Sequence, residues 1–199
     1  ILNEITEEEY ECDLVSTRLV KLLQDNEFEL STDFFQKIHK GLFNKIYGFA
    51  GKYRQVNISK SEDILKGDTV QYQSYDLIEK TLKYDFNEEK EIDYSSFSEE
   101  GLIDRITEFT SRIWQVHPFQ EGNTRTTAVF IQKYLISMGF NINNELFKDN
   151  ALYFRNALVR ANYTNYSVGV KETKKYLIMF FENLLLNKNS VFSNDDLKI

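Results

Sequence analysis

The stretch from Thr124 to Met138 carries Ala128, Val129, Phe130, Ile131, Tyr134, Leu135 and Ile136, so a helix drawn through it is apolar on nearly every side. Such a helix is normally buried all round. The rest of the chain must wrap it, and the sequence offers mostly helices for the purpose. One proline and eight glycines punctuate 199 residues, which favours helices joined by short polar turns. The expected fold class is all-α, a mainly helical bundle around a central buried helix. With 42% hydrophobic and 15% aromatic residues the chain can fill one sizeable core, which predicts a single domain over residues 1–199.

Directly before that helix the chain reads His117-Pro118-Phe119-Gln120-Glu121-Gly122-Asn123-Thr124-Arg125. A titratable base, a carboxylate and a turn suited to an anion stand together in this run, and a phosphoryl or nucleotidyl transferase needs those parts. A helix over about 98–116, with Leu102, Ile106, Phe109 and Ile113 on one face, should stop at His117, because Pro118 disfavours helical backbone there. Gly122 permits close approach of backbone to ligand. Asn123 or Thr124 can cap the next helix, whose first free N–H groups would face a phosphate. Arg125 lies in that helix's first turn, where a cation is unwelcome unless an anion sits between it and the amides. His117 is the general-base candidate. A helix C-terminus favours the charged ring, so some neighbour, Arg125 or a bound metal, has to keep it neutral. Glu121 offers one carboxylate to Mg²⁺ while nucleotide phosphates supply the other oxygens. Phe119 reads as a core anchor, and His39 as an ordinary core residue.

Elsewhere, an N-terminal helix is predicted over about 4–25, with Thr6 as its cap, and a second helix from the Ser31-Thr32-Asp33 cap through Phe34, Ile38, Leu42 and Ile46. Residues 57–72 alternate around Gly67-Asp68 and predict a small β-hairpin. Helices follow near 74–84, 148–162 and 172–187. Asn87 to Lys90 reads as a solvated loop, and the tail 189–199 is polar enough to fray. A net charge of −7 without a basic tract argues against nucleic acid or an anionic membrane as partner. The longest apolar run is too short to span a bilayer. The lone Cys12 is compatible with a reducing cytoplasm, the expected location.

The run from His117 resembles the signature of the Fic family, His-x-Phe-x-(Asp/Glu)-Gly-Asn-(Gly/Lys)-Arg-x-x-Arg. Leu42 to Arg54, followed by Asn57-Ile58-Ser59-Lys60, is similar to the family's upstream helix and flap, so the resemblance covers a core of about 31–186. It implies a transferase that moves a nucleotidyl group, usually AMP from ATP with Mg²⁺, onto a Ser, Thr or Tyr hydroxyl of another protein. His117 would be catalytic, Glu121 would hold the metal, and Gly122, Asn123, Thr124 and Arg125 would bind the phosphates. Ile58, Ser59 and Lys60 would contact the target protein or the nucleotide at the flap.

Two positions depart from the family pattern. Thr124 stands where the AMP-transferring members usually have glycine, and Ala128 where their second arginine would lie. Transfer of another NMP or a phosphoryl group therefore stays open, as does a catalytically decayed scaffold serving as a protein-binding module. Ser96 to Gly101 matches the family's inhibitory (Ser/Thr)-x-x-x-Glu-(Gly/Asn) string but sits where a helix should begin, so it reads as a cap. A separate antitoxin chain or a homo-oligomer remains open as the means of control.

Overall fold

Ser31 accepts a hydrogen bond from the Phe34 amide at 3.1 Å and so fixes the start of α2 (Thr32–Phe43), which follows α1 (Glu7–Gln24). The computed structural model describes residues 6–199; residues 4 and 5, the expected start of the first helix, lie outside them. Next come α3 (Ile78–Lys90), α4 (Glu99–Val116), α5 (Asn123–Ser137), α6 (Glu145–Asp149), α7 (Ala151–Ala161) and α8 (Lys175–Leu186). Ser98 caps α4 by accepting from the Gly101 amide at 3.1 Å, which is the capping role predicted for the Ser96 to Gly101 string.

α5 is the central element, packed by α1, α2 and α4. Its Phe130 meets Phe35 and Phe86 edge-to-face, each at 5.3 Å, an arrangement that adds about 0.5–1.5 kcal/mol per pair beyond burial. Lys133, also on α5, is nearly buried because its ammonium donates to the Leu22 and Asp25 carbonyls at 2.7 and 2.6 Å, tying down the end of α1. The phosphate-binding turn predicted at the start of α5 thus sits on the central, largely buried element of the fold.

Four expectations need correction. Residues 57–72 form no hairpin, and among the described residues no strand occurs at all; one isolated bridge joins Asn165 and Val170. The alternation there reflects burial rather than pairing: Val70 and Tyr72 lie on the core, while Val56 is exposed. The Lys60 amide bonds to the Thr69 side chain at 3.1 Å in place of a backbone partner. The helix expected near 74–84 begins as a 3₁₀ turn at Tyr75–Leu77 and runs as α3 to Lys90, so Asn87 to Lys90 is helix and not loop. Glu89 in that stretch is buried, accepting from Tyr134 at 3.0 Å and Arg105 at 3.0 Å. The helix expected at 148–162 is two, broken at Asn150. The tail is docked and not frayed: Leu197 is buried, Phe192 stacks on Tyr153, and the Ile199 amide donates to the Ile64 carbonyl at 3.1 Å.

Candidate active site

His117 ends α4 in left-handed backbone (φ 48°, ψ 56°), its amide donating to the Trp114 carbonyl at 3.0 Å. A non-glycine residue there costs about 1–2 kcal/mol, and the surroundings hold it. Its ring stacks on Tyr72 at 4.0 Å and meets Trp114 edge-on at 5.1 Å. Its carbonyl accepts from Arg54 Nε at 2.8 Å. Arg54 is buried and also donates to the Val56, Gln73 and Val116 carbonyls, so one guanidinium joins the 56–73 loop to the end of α4.

The imidazole Nδ1 lies 3.2 Å from the Trp114 carbonyl. A carbonyl oxygen only accepts, so the proton resides on Nδ1 and Nε2 carries the lone pair a general base needs. Burial holds the imidazole well below the usual histidine range, helped by the charges of Lys60, Arg54 and Arg155 and opposed by the Trp114 hydrogen bond. Burial and three cations therefore favour the neutral ring of His117.

The loop after it is held from inside. Asn123 closes on Phe119 in both directions, its Oδ1 accepting from the Phe119 amide at 2.9 Å and its Nδ2 donating to the Phe119 carbonyl at 2.8 Å. Thr124 Oγ1 accepts from Trp114 Nε1 at 2.9 Å. The N-cap of α5 is Gly122 at φ 82°, and no side chain caps the helix, so its first N–H groups have no intrahelical acceptor. They front a cavity of about 400 Å³. Its walls are Lys60 from the flap loop, His117 and Glu121 to Arg125 from the motif, and Ala151, Leu152 and Arg155 from α7.

Residues 29–135, more than half of the chain, match the Fic/DOC family. The chain belongs to that family. It is 30% identical over 150 residues to protein adenylyltransferase VbhT of Bartonella schoenbuchensis, covering 69% of this chain and 30% of that protein. It is 24% identical over 156 residues to the probable protein adenylyltransferase y4lH of Sinorhizobium fredii, covering 77% and 76%. The chain thus spans under a third of the length of VbhT. Among solved structures, the N-terminal Fic domain of an effector from Bartonella sp. AR 15-3 superposes with a TM-score of 0.70 at 17% identity, covering 94% of this chain and 85% of that one. BepC of Bartonella tribocorum, solved with bound AMPPNP, gives 0.68 at 16%, covering 89% and 85%.

In this Fic domain the expected site residues converge only in part. Lys60 lines the cavity and its ammonium pairs with Glu121 Oε2 at 2.7 Å; Ile58 and Ser59 of the same loop are not among the lining residues. Burial pushes the Glu121 carboxyl up, but the Lys60 hydrogen bond and charge outweigh it, so the net shift is downward. Arg125 lies over the Phe43 ring at 4.7 Å and 3.5 Å from Glu11 on α1. The side chains of Asn123 and Thr124 serve the loop and Trp114, and their backbone N–H groups have no intrahelical acceptor. Ala128 faces a second, more apolar cavity of about 510 Å³ between α1, α5, α6 and α7. No group of three or more His, Cys, Asp or Glu suited to a metal occurs among the described residues. A divalent ion would rely on the hard oxygens of Glu121 and on ligand phosphates, a donor set that fits Mg²⁺.

His39 is the residue that sequence reasoning undervalued. Its Nδ1 accepts from the Gly51 amide at 2.8 Å, so Nε2 carries the proton and donates to the Glu121 carbonyl at 3.0 Å. Its ring stacks on Phe119 at 3.8 Å, so it braces the motif from below. Burial lowers its pKa to about 4, opposed by the Glu121 bond and assisted by Arg125. Protonation would set an N–H against the Gly51 N–H. Both histidines thus bind protons less readily folded than unfolded. Their contribution to stability is complete above pH 6.5 and is lost as pH falls below it, for His39 down to about pH 4. Each should contribute a slope approaching about 1.4 kcal/mol per pH unit. Melting temperature followed from pH 7 to pH 5 should fall, and should fall less steeply for His39→Gln; a flat profile contradicts the buried neutral pair.

Proposed function

We propose that this domain transfers AMP from ATP to a hydroxyl of a target protein. The single observation that carries the reading is His117, its Nδ1 on the Trp114 carbonyl and its Nε2 lone pair free, at a cavity fronted by the uncapped start of α5. The α-phosphate lies on the N–H groups of Asn123 to Arg125, where the helix dipole and the Arg125 charge favour an anion. Nε2 of His117 takes the proton from the attacking hydroxyl. That oxygen forms its bond to the α-phosphorus as the bond to the β-phosphate bridging oxygen breaks, and pyrophosphate leaves with the electron pair. Mg²⁺, held by Glu121, would supply charge neutralisation to the phosphates; Lys60 then releases or shares Oε2. The loop at Ile58, Ser59 and Lys60 is the docking place for the target segment. The names of VbhT and y4lH and the AMPPNP bound by BepC support this reading.

The test is transfer of label from α-labelled against γ-labelled ATP to proteins of a host lysate. Label from the α position alone is expected. Transfer from the γ position instead would establish phosphoryl transfer, and transfer from neither would favour the binding-module reading. In the same assay Glu121→Gln should lose most of the Mg²⁺ enhancement of ATP binding while its melting temperature is kept. Equal enhancement in variant and parent would leave Glu121 as a partner of Lys60 and the Gly122 amide only.

A further inference from the structure

We propose that Arg155 is a phosphate-binding residue of the cavity and supplies, from α7, the positive charge that the motif lacks at position 128. The inference rests on the functional reading above and names a contact that the motif does not contain. Arg155 lines the same cavity as His117 and the Gly122 to Arg125 turn, from the opposite element of the fold. Its guanidinium is fixed by Glu62: NH1 lies 2.6 Å from Oε2, and NH2 donates to Oε1 at 3.0 Å. Glu62 is only 1% exposed, whereas the Arg155 side chain is 38% exposed, so the ion pair is anchored at its carboxylate end and open at its cationic end. Tyr72, which stacks on the His117 ring, lies with its hydroxyl 3.5 Å from Glu62 Oε1, tying the same anchor to the base.

Two nitrogens of the fork face Glu62, and among the described residues the guanidinium engages no other acceptor. Arginine has five N–H donors in a planar array suited to phosphate oxygens. The other two cations on the cavity wall are engaged differently. Lys60 is bound to Glu121, and Arg125 rests on Phe43 beside Glu11. Arg155 is felt at the reacting centre, since its charge is one of those that keep His117 neutral. The competing role is purely structural, an arginine that merely neutralises a buried carboxylate. That role would be complete without a cavity at the cationic end.

Binding of ATP and of inorganic tripolyphosphate by calorimetry separates the two roles in four proteins: the parent, Glu62→Gln, Arg155→Lys, and Arg155→Gln combined with Glu62→Gln. The double variant removes both charges and so leaves no buried carboxylate unpaired. It should melt near the parent temperature yet bind both ligands at least tenfold more weakly, the scale of one charge-assisted contact. Glu62→Gln should bind within a few-fold of the parent, and Arg155→Lys, which keeps the charge without the fork and preserves folding, should fall between. ATP affinity within twofold of the parent in the double variant overturns the assignment. So does an equal loss in Glu62→Gln when its melting temperature falls as well, which would trace the effect to packing. Failure of the parent itself to bind either ligand would instead overturn the functional reading, and this inference with it.

Discussion

His117→Ala is expected to lower AMP transfer about 10²- to 10⁴-fold, the range for removal of a positioned general base, while ATP affinity stays within a few-fold. The separation follows from the geometry. In the proposed site the phosphates rest on the start of α5, and that turn is held by Asn123, Thr124 and His39, none of which bonds the imidazole. Single-turnover transfer from α-labelled ATP, measured beside calorimetric binding, reads both quantities. A variant that still transfers at the parent rate would take His117 out of the chemistry, and one that no longer binds ATP would show the ring to be part of the nucleotide site.

Gly122→Ala should be the most damaging substitution of a single atom group. A Cβ at position 122 would lie 2.4 Å from Phe43 Cε2 and 2.6 Å from Cζ, and the backbone there has φ 82°. Phe43 is buried and stacked on Tyr47, so it has no free direction in which to yield. Overpacking of that kind costs about 1–3 kcal/mol, and left-handed backbone adds roughly 1–2 kcal/mol for a residue with a side chain. For a chain of this size the melting temperature should fall by roughly 5–15 °C, and ATP affinity should fall with it because the loop must move to relieve the contact. A melting temperature within a degree or two of the parent, with binding intact, would show that the turn has slack.

The motif was legible because its parts lie side by side in the chain. Glycine, asparagine and proline constrain backbone locally, and the bounds of α4 and α5 fall within one residue of those predicted from periodicity and caps. What stayed hidden is long-range. His39 reaches Glu121 across 82 positions, Arg54 reaches His117 across 63, and Arg155 reaches Glu62 across 93, distances over which no local pattern carries a signal. The hairpin was mistaken because alternation reports which side chains face the core, and Val70 and Tyr72 do so without a paired neighbour. The tail was mistaken because Phe192, Leu197 and Ile199 are too sparse for a period, yet each finds a place against the core.

The Arg54 guanidinium has a mechanical consequence for the domain. It grips the carbonyls of Val56 and Gln73 at both ends of the flap loop and those of Val116 and His117 at the end of α4, while its own amide donates to the Pro118 carbonyl at 2.8 Å. Loop and imidazole are thereby linked like two arms on one spindle. Under the proposed function, a target segment pressing on the loop would pull on the backbone that carries the base, so selection of the acceptor and positioning of the proton acceptor would be coupled. In kinetic terms, the proposed function then predicts that kcat and KM for the acceptor change together when this loop is altered, so that a poorly fitting target is slowed at the chemical step as well as at binding.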